Sequence, residues 1–232
     1  MCAKGFLLHM NPENETRDGN RPTAPDVAAS CPASSADSAS SSYTLDISGN
    51  RQSSKWSRGD LIGRALWEVL RGPLFAWTPR QLWAWRRGVL RLFGGEVGRD
   101  VHIHPSARVA IPWNLQIGDE ASIGDGAILY NLGPITIGCR ATISQNAHLC
   151  AGTHDYRQAD MPLLKRPIVI AEGAWVCADA FVGPGVTVGA FSIVGARAVV
   201  VKSIPEGVIV GGNPARILRK RPPTESNESL QQ

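Results

Sequence analysis

The chain has 232 residues, with 24 Lys and Arg against 20 Asp and Glu and a formal net charge of +4. That length suits one domain with appendages, and the mild basic balance without a nucleic-acid-reading motif favours small anionic partners over nucleic acid. Five scattered cysteines without a CxxC pair argue against a disulfide framework or a structural zinc site. With no apolar run long enough to span a bilayer, the chain reads as cytoplasmic.

Residues 1–54 are low in complexity, and the serine-rich stretch from Ser30 to Ser42 has too little apolar surface to offset the entropy of ordering, so this segment is expected to be a disordered tail. Residues 55–96 change character: Trp56, Trp67, Trp77, Trp83 and Trp85 fall here among many arginines. One helix is expected after Asp60 as its N-cap, ending before Gly72-Pro73. A second is expected to open with the capping-box spacing Thr78-Pro79-Arg80-Gln81 and to stop at Gly94-Gly95. The preferred reading makes this segment a cap over the open edge of whatever follows. The other lays it on a membrane surface.

From Val97 the pattern acquires a period of six. Aliphatic residues recur at Val97, Ile103, Val109, Ile117, Ile123, Leu129, Ile137, Ile143 and Leu149, then at Ile170, Val176, Val182, Val188, Val194 and Val200. Four residues after most of them stands a small side chain such as Ala121, Ala141 or Ala180, and glycine often follows directly, as at Gly98, Gly118 and Gly138. Neither a helix nor a lone strand has this period; a triangular solenoid does, with one flat face per six residues. The expected fold is all-β, a left-handed parallel β-helix over residues 97–205, with about five coils stacked at roughly 4.8 Å. Glycine is expected to relax the corners. The register slips by two residues after Val109 and after Leu129, and by far more after Leu149. A loop is therefore expected at 155–167, with His154 at its base. Residues 206–232 form a C-terminal extension.

The segments Ile111-Pro112-Trp113-Asn114, Tyr130-Asn131-Leu132-Gly133-Pro134, Gly152-Thr153-His154-Asp155 and Gly211-Gly212-Asn213-Pro214-Ala215-Arg216 resemble those of the bacterial hexapeptide acyltransferases. The branch concerned with colanic-acid or exopolysaccharide O-acetylation is the most similar. The resemblance implies a homotrimer with active sites between neighbouring solenoids and acetyl-CoA as donor. It also implies that His154 deprotonates the acceptor, that Trp175 edges the site, and that Ala178, Ala196, Lys202 and Arg219 touch the coenzyme. Val201-Lys202-Ser203 stands where Thr-Lys-Asp is commoner in such proteins.

The expected chemistry is O-acetyl transfer to a sugar hydroxyl, without metal. A hydroxyl needs a base within hydrogen-bond reach, and imidazole has a suitable intrinsic pKa. Asn131 and Asp125, about one coil earlier, are candidates to face the acceptor. Asp155 is a weak candidate to orient the imidazole, and a covalent Cys150–His154 pair is less favoured than packing for Cys150. Rival readings are amino-sugar N-acetylation, a non-catalytic scaffold, and a zinc carbonic anhydrase on the same solenoid. The last is disfavoured because His148 and His154, six apart, do not stack.

Overall fold

The computed structural model describes residues 45–52 and 55–223, apart from the side chains of Ile47 and Gln52. The serine-rich tail lies outside the described residues. Three parallel sheets run the length of a solenoid. The first face stacks Glu96–Val97, Leu115–Ile117, Ile135–Ile137, Ile168–Ile170 and Thr187–Val188. The second stacks His102–Ile103, Ser122–Ile123, Thr142–Ile143, Trp175–Val176, Ile193–Val194 and Val208–Gly211, and the third Arg108–Val109, Ile128–Tyr130, His148–Cys150, Phe181–Val182 and Val199–Val200. Five coils are complete, and Val208–Gly211 carries the ladder into a sixth, closed by the antiparallel strand Arg216–Lys220.

The six-residue register is the core. Ile103, Ile123, Ile143, Val176 and Val194 line up along the second face, all buried, and the small residues Ala121, Ala141, Ala174 and Ser192 are buried beside them. The glycines do something other than expected. Gly98, Gly118 and Gly138 are not the positions of positive φ; those are Asp100, Glu120 and Arg140, at φ 52°, 62° and 56°. A Cβ on Gly118 would instead lie 2.6 Å from the Cys139 backbone nitrogen of the next coil. These glycines serve the close approach of stacked corners, not the turn itself.

A solenoid's first coil has no predecessor, so carbonyls pointing out of its open end must find donors elsewhere. Helices α1 (Ile47–Gln52), α2 (Arg58–Arg71) and α3 (Trp83–Leu92) precede it, and α2 and α3 supply those donors from their side chains. Trp67 Nε1 donates to Val109 O at 2.7 Å, Arg86 Nε to Ile103 O at 2.7 Å, and Arg87 Nη1 to Val101 O at 3.2 Å. Arg91 donates to the carbonyls of Val97 and Gly98. Trp67 and Phe75 pack edge to face, and with Leu90 they join the solenoid core.

The helix starts differ from expectation. Ser57, not Asp60, caps α2: its hydroxyl accepts from Asp60 N at 3.0 Å while the Asp60 carboxylate accepts from Ser57 N. Thr78 caps no helix, because its hydroxyl donates to Phe75 O and accepts from Arg86, and α3 begins only at Trp83. Helix α1 lies inside the stretch expected to be disordered. There the Asp46 carboxylate accepts from Gly49 N at 2.8 Å, and Asp46 N donates to Ala159 O.

The outward side chains of the three faces are not alike. The first face presents Glu96, Gln116, Thr136, Val169 and Thr187, whereas the third presents Arg108 at its first coil and then Ile128, Tyr130, His148, Phe181 and Val199. His148 lies edge-on to Tyr130 and Phe181, and its Nε2 is buried without a hydrogen-bond partner among the described residues. Burial pushes its pKa below the usual imidazole value. The unfolded chain therefore binds this proton first. Stability is expected to fall as pH drops through the unfolded imidazole range, about 6.5, and to level off below the lower folded value. Thermal melts between pH 8 and pH 5 should show the slope in wild type and a shallower one in His148→Phe.

Candidate active site

All three register slips fall on one edge of the solenoid, between the third and first faces. The lowest is a short 3₁₀ turn at Pro112–Asn114, the next is residues 131–134, and the third is a β-hairpin. In the hairpin Gly152–His154 pairs antiparallel with Leu163–Lys165, and the chain rejoins the coil where Arg166 N donates to Ala151 O at 3.0 Å. The excursion is thus an ordered ribbon that begins before His154, and His154 lies on its ladder opposite Leu163. Beneath it, a Cβ on Gly133 would sit 2.8 Å from the Lys165 carbonyl carbon, so only glycine lets the ribbon descend this close.

His154 is exposed, and its Nδ1 meets Met161 O at 2.6 Å. A backbone carbonyl can only accept, so Nδ1 carries the proton and neutral His154 presents Nε2 as its basic atom. Among the described residues nothing pairs with Nε2. Asp155 does not orient the ring: its carboxylate accepts from Arg157 N and Nε and from Gln158 Nε2, which holds it below the usual carboxylate range. Asn50, which sequence reasoning missed, donates to the same Met161 carbonyl at 2.7 Å. Beyond that helix, Lys165 Nζ donates to Lys55 O and lies 3.4 Å over the Trp56 ring. No sequence signal links residue 50 to residue 161; only the fold brings them together.

Asn131 does not face an acceptor. It is fully buried, its Oδ1 accepts from Ala110 N at 3.0 Å and Ile111 N at 2.9 Å, and its Nδ2 donates to Ile111 O. Every group of its amide is spent locking the lower insertion to the one above, the platform on which the hairpin stands. Asn131→Ala should leave the Ile111 N–H without its partner, while Ala110 N still donates to Leu129 O and Ile111 O still accepts from Asn114 N, and should cost about 1–3 kcal/mol, read as a lower denaturation midpoint in urea.

Asp125 lies on another edge. Its carboxylate is 3.1 Å from His104 Nδ1 and accepts from Ser106 Oγ. It borders a groove of about 540 Å³ on the second face, lined also by Trp83, His102, His104, Ser144 and Gln145. Trp175 stands on that face, its Nε1 donating to Ser144 Oγ at 2.8 Å. Ala178 and Ala196 stack on the edge between the second and third faces, where Arg197 N donates to Ala178 O. Lys202 is exposed past the last strand of the third face, on the same edge as His154, and Arg219 is exposed on the closing strand opposite Ile209. One chain therefore separates the expected residues into two groups: His154 and Lys202 on one edge, and Asp125, Trp175, Ala178, Ala196 and Arg219 on the second face and its far edge. Cys150 is half-buried, with its Sγ directed to Gly152 O at 3.4 Å. Among the described residues no three His, Cys, Asp or Glu side chains converge as metal ligands do.

No model in a scan of protein families matches the chain. It is 44% identical over 180 residues to WcaF of Escherichia coli (strain K12), named as a colanic acid biosynthesis acetyltransferase, which covers 78% of this chain and 99% of that protein. Over 138 residues it is 25% identical to the galactoside O-acetyltransferase of the same organism, 58% of this chain and 68% of the other. The hexapeptide-repeat acetyltransferase VCA0836 of Vibrio cholerae, solved with acetyl-coenzyme A, superposes with a TM-score of 0.67 at 28% identity, covering 73% of this chain and 93% of that one. The chain belongs to the hexapeptide-repeat acetyltransferases, in the branch that holds WcaF.

Proposed function

We propose that the chain transfers the acetyl group of acetyl-CoA to a sugar hydroxyl during exopolysaccharide synthesis, in the cytoplasm, with His154 as the base. The observation that carries this is the Nδ1 contact of His154 with Met161 O, which leaves Nε2 as the acceptor at the rim of a rigid ribbon. Nε2 takes the hydroxyl proton as the oxygen attacks the thioester carbonyl. The new C–O bond gives a tetrahedral oxyanion; the C–S bond then breaks, and coenzyme A leaves as a thiolate that needs little acid help. Corner N–H groups are suited to the oxyanion, and Lys202 and Arg219 to the coenzyme's phosphates.

Two features favour a site completed between copies, with a homotrimer as the assembly. Within one chain His154 and Trp175 stand on different sides of the solenoid, and the apolar outward residues of the third face are suited to contact with another solenoid. Initial rates test the direct-transfer mechanism. Varying donor against acceptor should give intersecting double-reciprocal lines, whereas parallel lines would mean a covalent acyl-enzyme and shift attention to Cys150.

A further inference from the structure

Helix α2 is apolar on both sides. Trp67 faces the solenoid and is 1% exposed, yet Leu61, Ile62, Leu66 and Val69 are 52%, 63%, 52% and 74% exposed. Spaced three, four and seven residues apart, with Ala65 among them, they form one outward stripe, because residues at such intervals share a helix side. The stripe continues past the helix end: Val69, Gly72, Pro73, Ala76 and Trp77 line one shallow depression, and Trp77 is 79% exposed. An uncovered run of this kind on a rigid cap calls for a partner.

The charges around it indicate which partner. Arg58 stands exposed at the start of the stripe, and Arg108 borders the depression beside Trp77; among the described residues neither pairs with a carboxylate. The acidic groups nearby are already engaged, Asp60 in the α2 capping box and Glu68 with Arg71 at 3.3 Å. An apolar stripe ending in an exposed tryptophan and flanked by unpaired arginines fits an interface whose interior is hydrocarbon and whose surface is anionic.

We propose that the outer face of α2, from Leu61 to Val69 with Trp77 at its end, docks the enzyme on an anionic phospholipid surface. The inference stands apart from the choice of acceptor, since it concerns the cap and not the hairpin. It is tested by co-sedimentation of the full chain with vesicles of phosphatidylglycerol and phosphatidylcholine in equal parts, against phosphatidylcholine alone. Binding to the anionic vesicles, at least about tenfold weaker to neutral ones and weakened about tenfold by Ile62→Glu/Val69→Glu, is expected. The paired variant should keep the wild-type melting temperature, and Ile62→Leu should bind as wild type. No binding to either vesicle overturns the proposal, as does binding that the paired variant leaves unchanged. If the wild type instead self-associates without lipid and the paired variant abolishes that association, a second copy covers the stripe and the membrane reading fails.

Discussion

Replacing His154 with alanine is expected to lower kcat for acetyl transfer about a hundred- to ten-thousandfold, the usual contribution of a positioned general base. Affinity for acetyl-CoA should change little, because the imidazole meets the hydroxyl proton, not the coenzyme. His154→Asn is the sharper variant. Its Nδ2 stands where Nδ1 stood and can keep the hydrogen bond to Met161 O, and so the ribbon's shape, but the amide cannot accept a proton, and activity should stay at the alanine level. The same logic makes Asn50 a positioning residue, since it donates to the carbonyl that sets the His154 tautomer. Asn50→Ala should lower kcat by less than the base variants, about tenfold or under, as expected for a group that acts through another. A His154→Ala protein with wild-type kcat would remove the base from the mechanism.

The second large effect is expected on stability. Arg86 is fully buried, and its guanidinium meets neutral groups, the oxygens Ile103 O, Thr78 Oγ1, Pro79 O and Arg80 O and, 4.8 Å away, the Trp83 ring. Burial without a counter-ion pulls its pKa down from the usual arginine value, so the charge is tolerated there because four acceptors replace water. Arg86→Met keeps much of the volume but strips Ile103 O and Arg80 O of the donor they have here, while Pro79 O keeps Leu82 N. A loss of about 3–5 kcal/mol is expected, seen as a melting temperature lower by about ten degrees in a domain of this size. Arg86→Lys should recover less than half, since one ammonium cannot reach acceptors spread around a planar fork. Hydrogen exchange should locate the damage in the first coil, leaving amides near Val194 and Val210 as protected as before. An Arg86→Met protein melting with wild type would mean that the open edge needs no side-chain donors.

The solenoid was legible because its axis admits one aliphatic side chain per face, so the constraint repeats at a fixed interval and is written directly into the chain. The excursion at His154 was legible through the third slip, which the structure fills with the hairpin Gly152–His154 and Leu163–Lys165. What remained hidden depends on which residues a slip brings into contact. Asn131 read as a candidate to face the acceptor, and only the stacking of two insertions on one edge shows its amide serving Ala110 and Ile111. Asp125 meets Ser106 and His104 across adjacent coils, contacts whose spacing of 19 and 21 residues departs from the solenoid's eighteen. Nothing in the sequence marks Arg86, since arginine is rarely buried, and its role emerges only when the carbonyls of the first coil are seen to need donors. Helix α1 was unreadable for a similar reason: a short polar segment has no core signal of its own, and it is held by carbonyls of a hairpin more than a hundred residues away.

Acceptor-dependent thiol release from acetyl-CoA, measured across exopolysaccharide oligosaccharides and sugar nucleotides, tests the central claim most directly. The account predicts release with at least one hydroxyl acceptor, collapsing in His154→Ala, and a product whose acetyl group is removed by mild alkali as an ester is. Release with no acceptor in the panel, or an alkali-stable amide as the product, would contradict it.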